Sequence, residues 1–172
     1  IAAVVLITAY LVIAGLPAIR EIGLANFLFG TEWASTAAEP KFGILPFILT
    51  SVWGMLGAAL LGVPVGLMCA VYLSKAASKR AAGIVRPAVE LLAGIPSVVY
   101  GLVGMMVLVP AVMDVFRLKN GTCLLAAILV LAVMILPSII SVSETALLAV
   151  PPEYEEASLA LGASKMETVF KV

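Results

Sequence analysis

The sequence contains no histidine and only two cysteines, and charged residues make up just 12% of its 172 positions. Without histidine, the chain lacks the commonest metal ligand and the usual general base near neutral pH. Cys69 and Cys123 lie far apart in apolar or border sequence, and both read as small packing residues. No Ser/Lys or Cys/His arrangement is evident, so no catalytic residue and no metal site is expected. The chain also has no Gly-x-x-x-x-Gly-Lys-Ser/Thr segment, so any ATP hydrolysis must come from a separate chain. Net charge is zero and the pI is about 6.5, neither of which argues for nucleic acid.

Apolar residues fill the space that charge leaves. They make up 63% of the chain, and the mean hydropathy is +1.21. A soluble domain carries roughly a quarter charged residues. A chain this apolar needs lipid as its solvent, and the backbone must then satisfy its own hydrogen bonds as helices or as a closed barrel. The apolar runs are long and do not alternate strictly, which favours helices. The fold class read from the sequence is an all-α polytopic membrane protein with at least four spans.

Spans are expected at about 1–19, 44–73, 87–113 and 123–150. The chain opens on Ile1, already inside an apolar run, and closes at Val172 in a helical pattern, so it reads as a fragment of one transmembrane domain. No basic leader of a signal peptide precedes the first run. Residues 20–43 read as a polar connector in which Phe27, Phe29 and Trp33 suit the headgroup layer. The second span is long for a bilayer, so it should tilt, kink or protrude, and Pro64 interrupts its middle. Ala58, Gly62, Gly66 and Ala70 recur every fourth residue, a spacing that lets a neighbouring helix approach closely. Residues 74–87 carry Lys75, Lys79, Arg80 and Arg86 with no acid, so this loop is expected to face the cytoplasm. Parity then places 20–43 and 114–122 outside and residues 151–172 inside. In the third span, Pro96 removes a backbone donor and should bend the helix.

Residues 151–172 read PPEYEEASLALGASKMETVFKV. Pro151 and Pro152 stop the preceding span and open a new helix. Glu153, Glu155 and Glu156 favour the positive end of its dipole. Tyr154, Ala157 and Leu161 fall on one face. Gly162 sits where a helix end favours a left-handed residue. Ser164 and Glu167 have the spacing of a capping box for a second helix. The segment therefore predicts a helix–break–helix hairpin at the membrane surface. Its acidic start disfavours an anionic leaflet as its resting place, so a protein partner is the expected contact.

The run Glu156-Ala157-Ser158, three residues, then Gly162 resembles the EAA motif of ABC importer permeases. That pattern is Glu-Ala-Ala, three residues, Gly, nine residues, Ile, one residue, Leu-Pro. Val172 falls at the Ile position, and Ser158 replaces the second Ala. The stretches FLFGTEWASTAAEPKFGILPF (27–47) and ELLAGIPSVVYG (90–101) look like the C-type permease of phosphate-specific transport, and the likeness runs over essentially the whole chain. The A-type permease shares part of the second stretch. The resemblance implies a helical bundle of the type I ABC importer permease kind in a bacterial plasma membrane. Its implied partners are an A-type permease, a cytoplasmic ATPase dimer that holds ATP and magnesium, and an outer phosphate-binding protein. In such a system Glu156, Ala157, Ser158, Gly162, Ser164 and Glu167 would couple to the ATPase, and the bundle would work by alternating access.

The residues themselves say less about the cargo. No arginine or lysine lies within the expected spans. Glu90 and Glu144 are the carboxylates near hydrocarbon, each read either as a helix-end group or as a gate or salt bridge to a partner-subunit cation. An anion could instead meet hydroxyls and helix N-termini at Gly94–Ser97. Ser97, Ser138 and Ser141 complete the translocation-path candidates. An importer of molybdate or sulfate, or a secondary transporter, is the alternative function. An inverted repeat would favour the latter, and none is evident.

Overall fold

A computed structural model describes residues 2–171. Ile1 and Val172, the expected start of the first span and the position aligned with the motif's Ile, lie outside the described residues. Among the described residues, four helices are long and apolar enough to cross a membrane: Ala2–Ile22, Leu45–Ala76, Ser97–Phe116 and Leu124–Leu148. Their side chains lack the cover a water-soluble fold would give them. Leu60 is 76% exposed and Val98 is 79% exposed, as lipid-facing residues should be. The chain comprises two compact units, Ile1–Trp53 and Gly54–Val172.

The first unit holds α1 (Ala2–Ile22), α2 (Leu24–Phe29), strands β1 (Trp33–Ala34) and β2 (Lys41–Phe42), and the start of α3 (Leu45–Val71). Within the expected polar connector 20–43, β1 and β2 form an antiparallel pair, a small departure from the all-α fold class. Trp33 holds it in place by packing edge-on against Phe42 and Phe47, each with ring centroids 5.6 Å away. Lys41 and Glu32 form an ion pair beside it.

In the second unit, α3 runs unbroken through Pro64 and ends in a π-helical turn, Tyr72–Ala76. The expected interruption at Pro64 does not occur. The buried residues of α3 are Gly54, Ala58, Gly62, Gly66 and Ala70, one every fourth position. They pack on α7 (Leu124–Leu148) so closely that a β-carbon on Gly62 would lie 2.7 Å from Ile135 Cδ1, and one on Gly66 would lie 2.6 Å from Ile139 Cγ2. This packing supports the helix on both sides of the proline.

The third span is where the structure departs furthest from the sequence reading. Residues 74–87 are not a loop. After the π turn, Ser78 caps α4 (Lys79–Gly94), its Oγ accepting from the Ala81 N–H at 3.2 Å. Lysine and arginine are good helix formers, so a basic run at the membrane surface need not be a loop. The chain then breaks at Ile95–Pro96 and restarts as α5 (Ser97–Val103), a π-helical turn (Gly104–Leu108) and α6 (Val109–Phe116). The expected span 87–113 is thus the end of one amphipathic helix plus a separate span beginning at Ser97. Pro96 has no N–H to give the Leu92 carbonyl. That oxygen is served instead by the Ile95 N–H at 3.2 Å and the Tyr100 hydroxyl at 2.8 Å.

Candidate functional site

The hairpin after α7 comprises α8 (Pro152–Ala160) and α9 (Lys165–Lys171). Pro151 stands at the N-cap of α8 and Pro152 at its first position, with Glu153 and Glu155 in the first turn. The helix ends by a specific hydrogen-bonded turn. The Ala163 N–H donates to the Ser158 carbonyl at 3.2 Å and the Gly162 N–H to the Leu159 carbonyl at 3.0 Å. This six-to-one and five-to-two pairing is the Schellman motif. It needs a left-handed residue, and Gly162 supplies it with φ 88°.

The second helix begins three residues later, at Lys165. Glu167 Oε2 accepts from the Ser164 N–H at 3.0 Å and from the Ser164 hydroxyl at 2.9 Å. The Glu167 N–H donates to Ser164 Oγ at 3.3 Å. Two backbone donors at the helix start are thereby satisfied reciprocally. The Ser164 N–H and hydroxyl hold the Glu167 carboxyl below the usual carboxylate range.

Ser158, the departure from the motif, has a structural use. Its Oγ lies 3.0 Å from Thr168 Oγ1, and Thr168 Oγ1 donates to the Ser164 carbonyl at 3.1 Å. A hydroxyl has a single proton to give, so Ser158 donates to Thr168 and ties α8 to α9. Thr168 is buried, the one buried polar residue among the described residues. The sequence offered no signal for it, since the contact spans ten positions across a turn.

The outer face of the hairpin is open. Glu156 and Ala157 are exposed. Tyr154, Leu161, Met166 and Phe170 are also exposed. The face expected to hold Tyr154, Ala157 and Leu161 is thus uncovered among the described residues. On the opposite side, Glu155 forms an ion pair with Lys75 of the π turn.

The translocation-path candidates lie on three helices: Glu90 on α4, Ser97 on α5, and Ser138, Ser141 and Glu144 on α7. Glu90 is exposed on α4, outside the segment long and apolar enough to span, and makes no ion pair among the described residues. Ser97 is the first residue of α5. Ser97, Ser138 and Ser141 are exposed, with no side-chain hydrogen bond among the described residues. Glu144 is shielded, and its cation is Arg86 of the same chain, with Nη2–Oε1 at 2.7 Å. Of the readings of Glu144 as a helix-end group, a gate or a salt bridge to a partner-subunit cation, none required an intrachain partner, and Arg86 supplies one. No cluster of His, Cys, Asp or Glu able to hold a metal occurs among the described residues.

The hairpin, with its motif residues in this geometry, falls inside the region that decides the family. Residues 62–172 match the binding-protein-dependent transport system inner membrane component family. The chain belongs to that family. Among curated relatives of this transport family, it is 40% identical to a probable ABC transporter permease, YqgH, of Bacillus subtilis, over all of this chain and 56% of the relative. It is 34% identical to the phosphate transport system permease protein PstC of Xylella fastidiosa, over 86% of this chain and 51% of that protein. It is 41% identical to the phosphate transport system permease protein PstA 2 of Mycobacterium bovis, over 62% of this chain and 34% of that protein. The chain spans about half the length of the curated permeases it matches most fully. No solved structure matches it.

Proposed function

We propose that this chain is the core of a C-type permease subunit of an ATP-driven importer that moves inorganic phosphate across a bacterial plasma membrane. One observation carries the reading. The EAA-like segment folds as a capped hairpin whose motif residues Glu156 and Ala157 are exposed. A surface so ordered and so uncovered suits a docking groove on a separate ATPase. The cargo assignment is supported by the phosphate permease likeness, which covers more of this chain for PstC than for PstA 2.

In this reading, α4 and the hairpin lie at the cytoplasmic face, and the connector 20–43 and the turn 117–122 lie outside. An A-type permease completes the bundle, and a phosphate-binding protein delivers the anion from outside. ATP and magnesium stay on the ATPase dimer. ATP binding closes that dimer, the hairpin moves, and the bundle exchanges inward for outward access, which a ligand can bias only by binding the two states differently. Ser97, Ser138 and Ser141 are the hydroxyls offered to the anion. Glu90 and Glu144 lie toward the inner side of the path.

The test is reconstitution of the full-length protein with its A-type partner, ATPase and binding protein in proteoliposomes. Phosphate should stimulate ATP turnover and enter the vesicles. Stimulation by molybdate or sulfate without phosphate would reject the cargo, and no stimulation by any of them would reject the importer.

A further inference from the structure

Glu155 stands in the first turn of α8, and Lys75 stands in the π-helical turn that finishes α3. Their side chains form an ion pair across 80 positions of sequence. The pair is largely shielded, with 21% of the lysine side chain and 34% of the glutamate side chain exposed. It borders a cavity of about 280 Å³ whose other walls include Leu147 on α7, Val150 just after it, and Thr168 and Phe170 on α9. The ends of α3 and α7 and the whole hairpin therefore meet around one charged contact.

The two sides of that contact are each internally stiff. The hairpin is closed by the turn at Gly162, by the Ser164–Glu167 cap and by the Ser158–Thr168 bond. On the other side, helical backbone runs unbroken from Gly54 to Ala76. Its packing face on α7 is made of small residues against which Ile135 and Ile139 fit closely, so α3 holds its shape along that contact. A displacement of the hairpin thus reaches α3 at its end, through Lys75.

We infer that the Lys75–Glu155 pair is the link through which movement of the hairpin is passed to α3, which makes Lys75 a positioning residue for energy coupling. This rests on the ATP-driven importer reading. In proteoliposomes of the complete transporter, the quantity to measure is cargo moved per ATP hydrolysed. Lys75→Met and Glu155→Gln should each lower that ratio about tenfold, the factor that about 1.4 kcal/mol represents. Lys75→Arg should hold it. The double reversal Lys75→Glu with Glu155→Lys should restore most of it.

Melting temperatures of the same variants separate coupling from folding. Single variants that keep the wild-type ratio overturn the inference. So does a double reversal that recovers the melting temperature but not the ratio. If a single variant fails to accumulate, the Lys75→Arg and double-reversal ratios decide by themselves. Wild-type turnover driven by molybdate or sulfate would remove phosphate as the cargo and leave this test standing with that anion. Turnover driven by none of the three removes both.

Discussion

Arg86 grips a single oxygen of Glu144. Its Nε and its Nη2 both approach Glu144 Oε1 at 2.7 Å. The glutamate side chain is 13% exposed and the arginine side chain 47%. The pair ties α4 to the C-terminal part of α7 across 58 positions. A carboxylate so shielded is costly unless a cation and hydrogen bonds meet it. Arg86→Ala should leave Glu144 unpaired and destabilise the protein by about 1–3 kcal/mol. Arg86→Ala together with Glu144→Gln should recover part of that loss, because no shielded charge remains. Thermal unfolding of the detergent-solubilised full-length protein checks both. Equal melting temperatures for wild type and Arg86→Ala would contradict the account.

Much of the fold is legible in the sequence because the signals are local. Gly162, Ser164 and Glu167 write the hairpin by their positions alone, and the four-residue spacing of Ala58, Gly62, Gly66 and Ala70 marks the buried face of α3. The prolines are a different matter. Pro64, Pro96 and Pro137 look alike in sequence, yet α3 and α7 continue through theirs and only Pro96 ends a helix. Close packing on both sides of Pro64 maintains its helix. At Pro96 the neighbouring Gly94 is exposed, and Tyr100 offers the freed Leu92 carbonyl another donor. The pairs Lys75–Glu155 and Arg86–Glu144 were not legible at all. Each joins residues whose proximity depends on how whole helices pack.

Ser158 and Thr168 should be coupled. Ser158→Ala restores the residue usual in the motif but removes the donor that joins α8 to α9. The loss should be about 0.5–1.5 kcal/mol. Thr168→Val should cost a similar amount, and the two changes together should cost less than their sum, because both break one bond. A double-mutant cycle on thermal stability measures the coupling. Strict additivity would show that the hydroxyl contact contributes nothing.

Glu167 gives the hairpin a pH dependence of defined sign. Hydrogen bonds from the Ser164 N–H and hydroxyl lower its pKa in the folded hairpin. A lowered folded pKa means that the stabilisation is fully present above the ordinary carboxylate pKa. It is lost as pH falls through the lowered value. Amide protection in α9 should therefore decline on acidification, while Glu167→Gln, which keeps a capping acceptor, should flatten the dependence. Hydrogen exchange, corrected for the intrinsic effect of pH, reads this directly. Equal acid sensitivity in wild type and Glu167→Gln would assign the effect to another group.

Two glycine substitutions should act in opposite directions. At Gly66 an added β-carbon would meet Ile139 Cγ2 at 2.6 Å and Ile139 Cβ at 3.0 Å. Gly66→Ala should push α3 from α7 and cost about 1–3 kcal/mol, as overpacking of a tight contact does. At Gly83, inside α4, nothing lies within 4 Å of the same added atom. Gly83→Ala should therefore stabilise the helix by about 0.5–1 kcal/mol, because alanine loses less backbone freedom on folding. Melting temperatures of the two single variants, measured side by side in one detergent, test the contrast. If Gly66→Ala melted as high as Gly83→Ala, the small-residue face of α3 would not be the tight contact that holds it to α7.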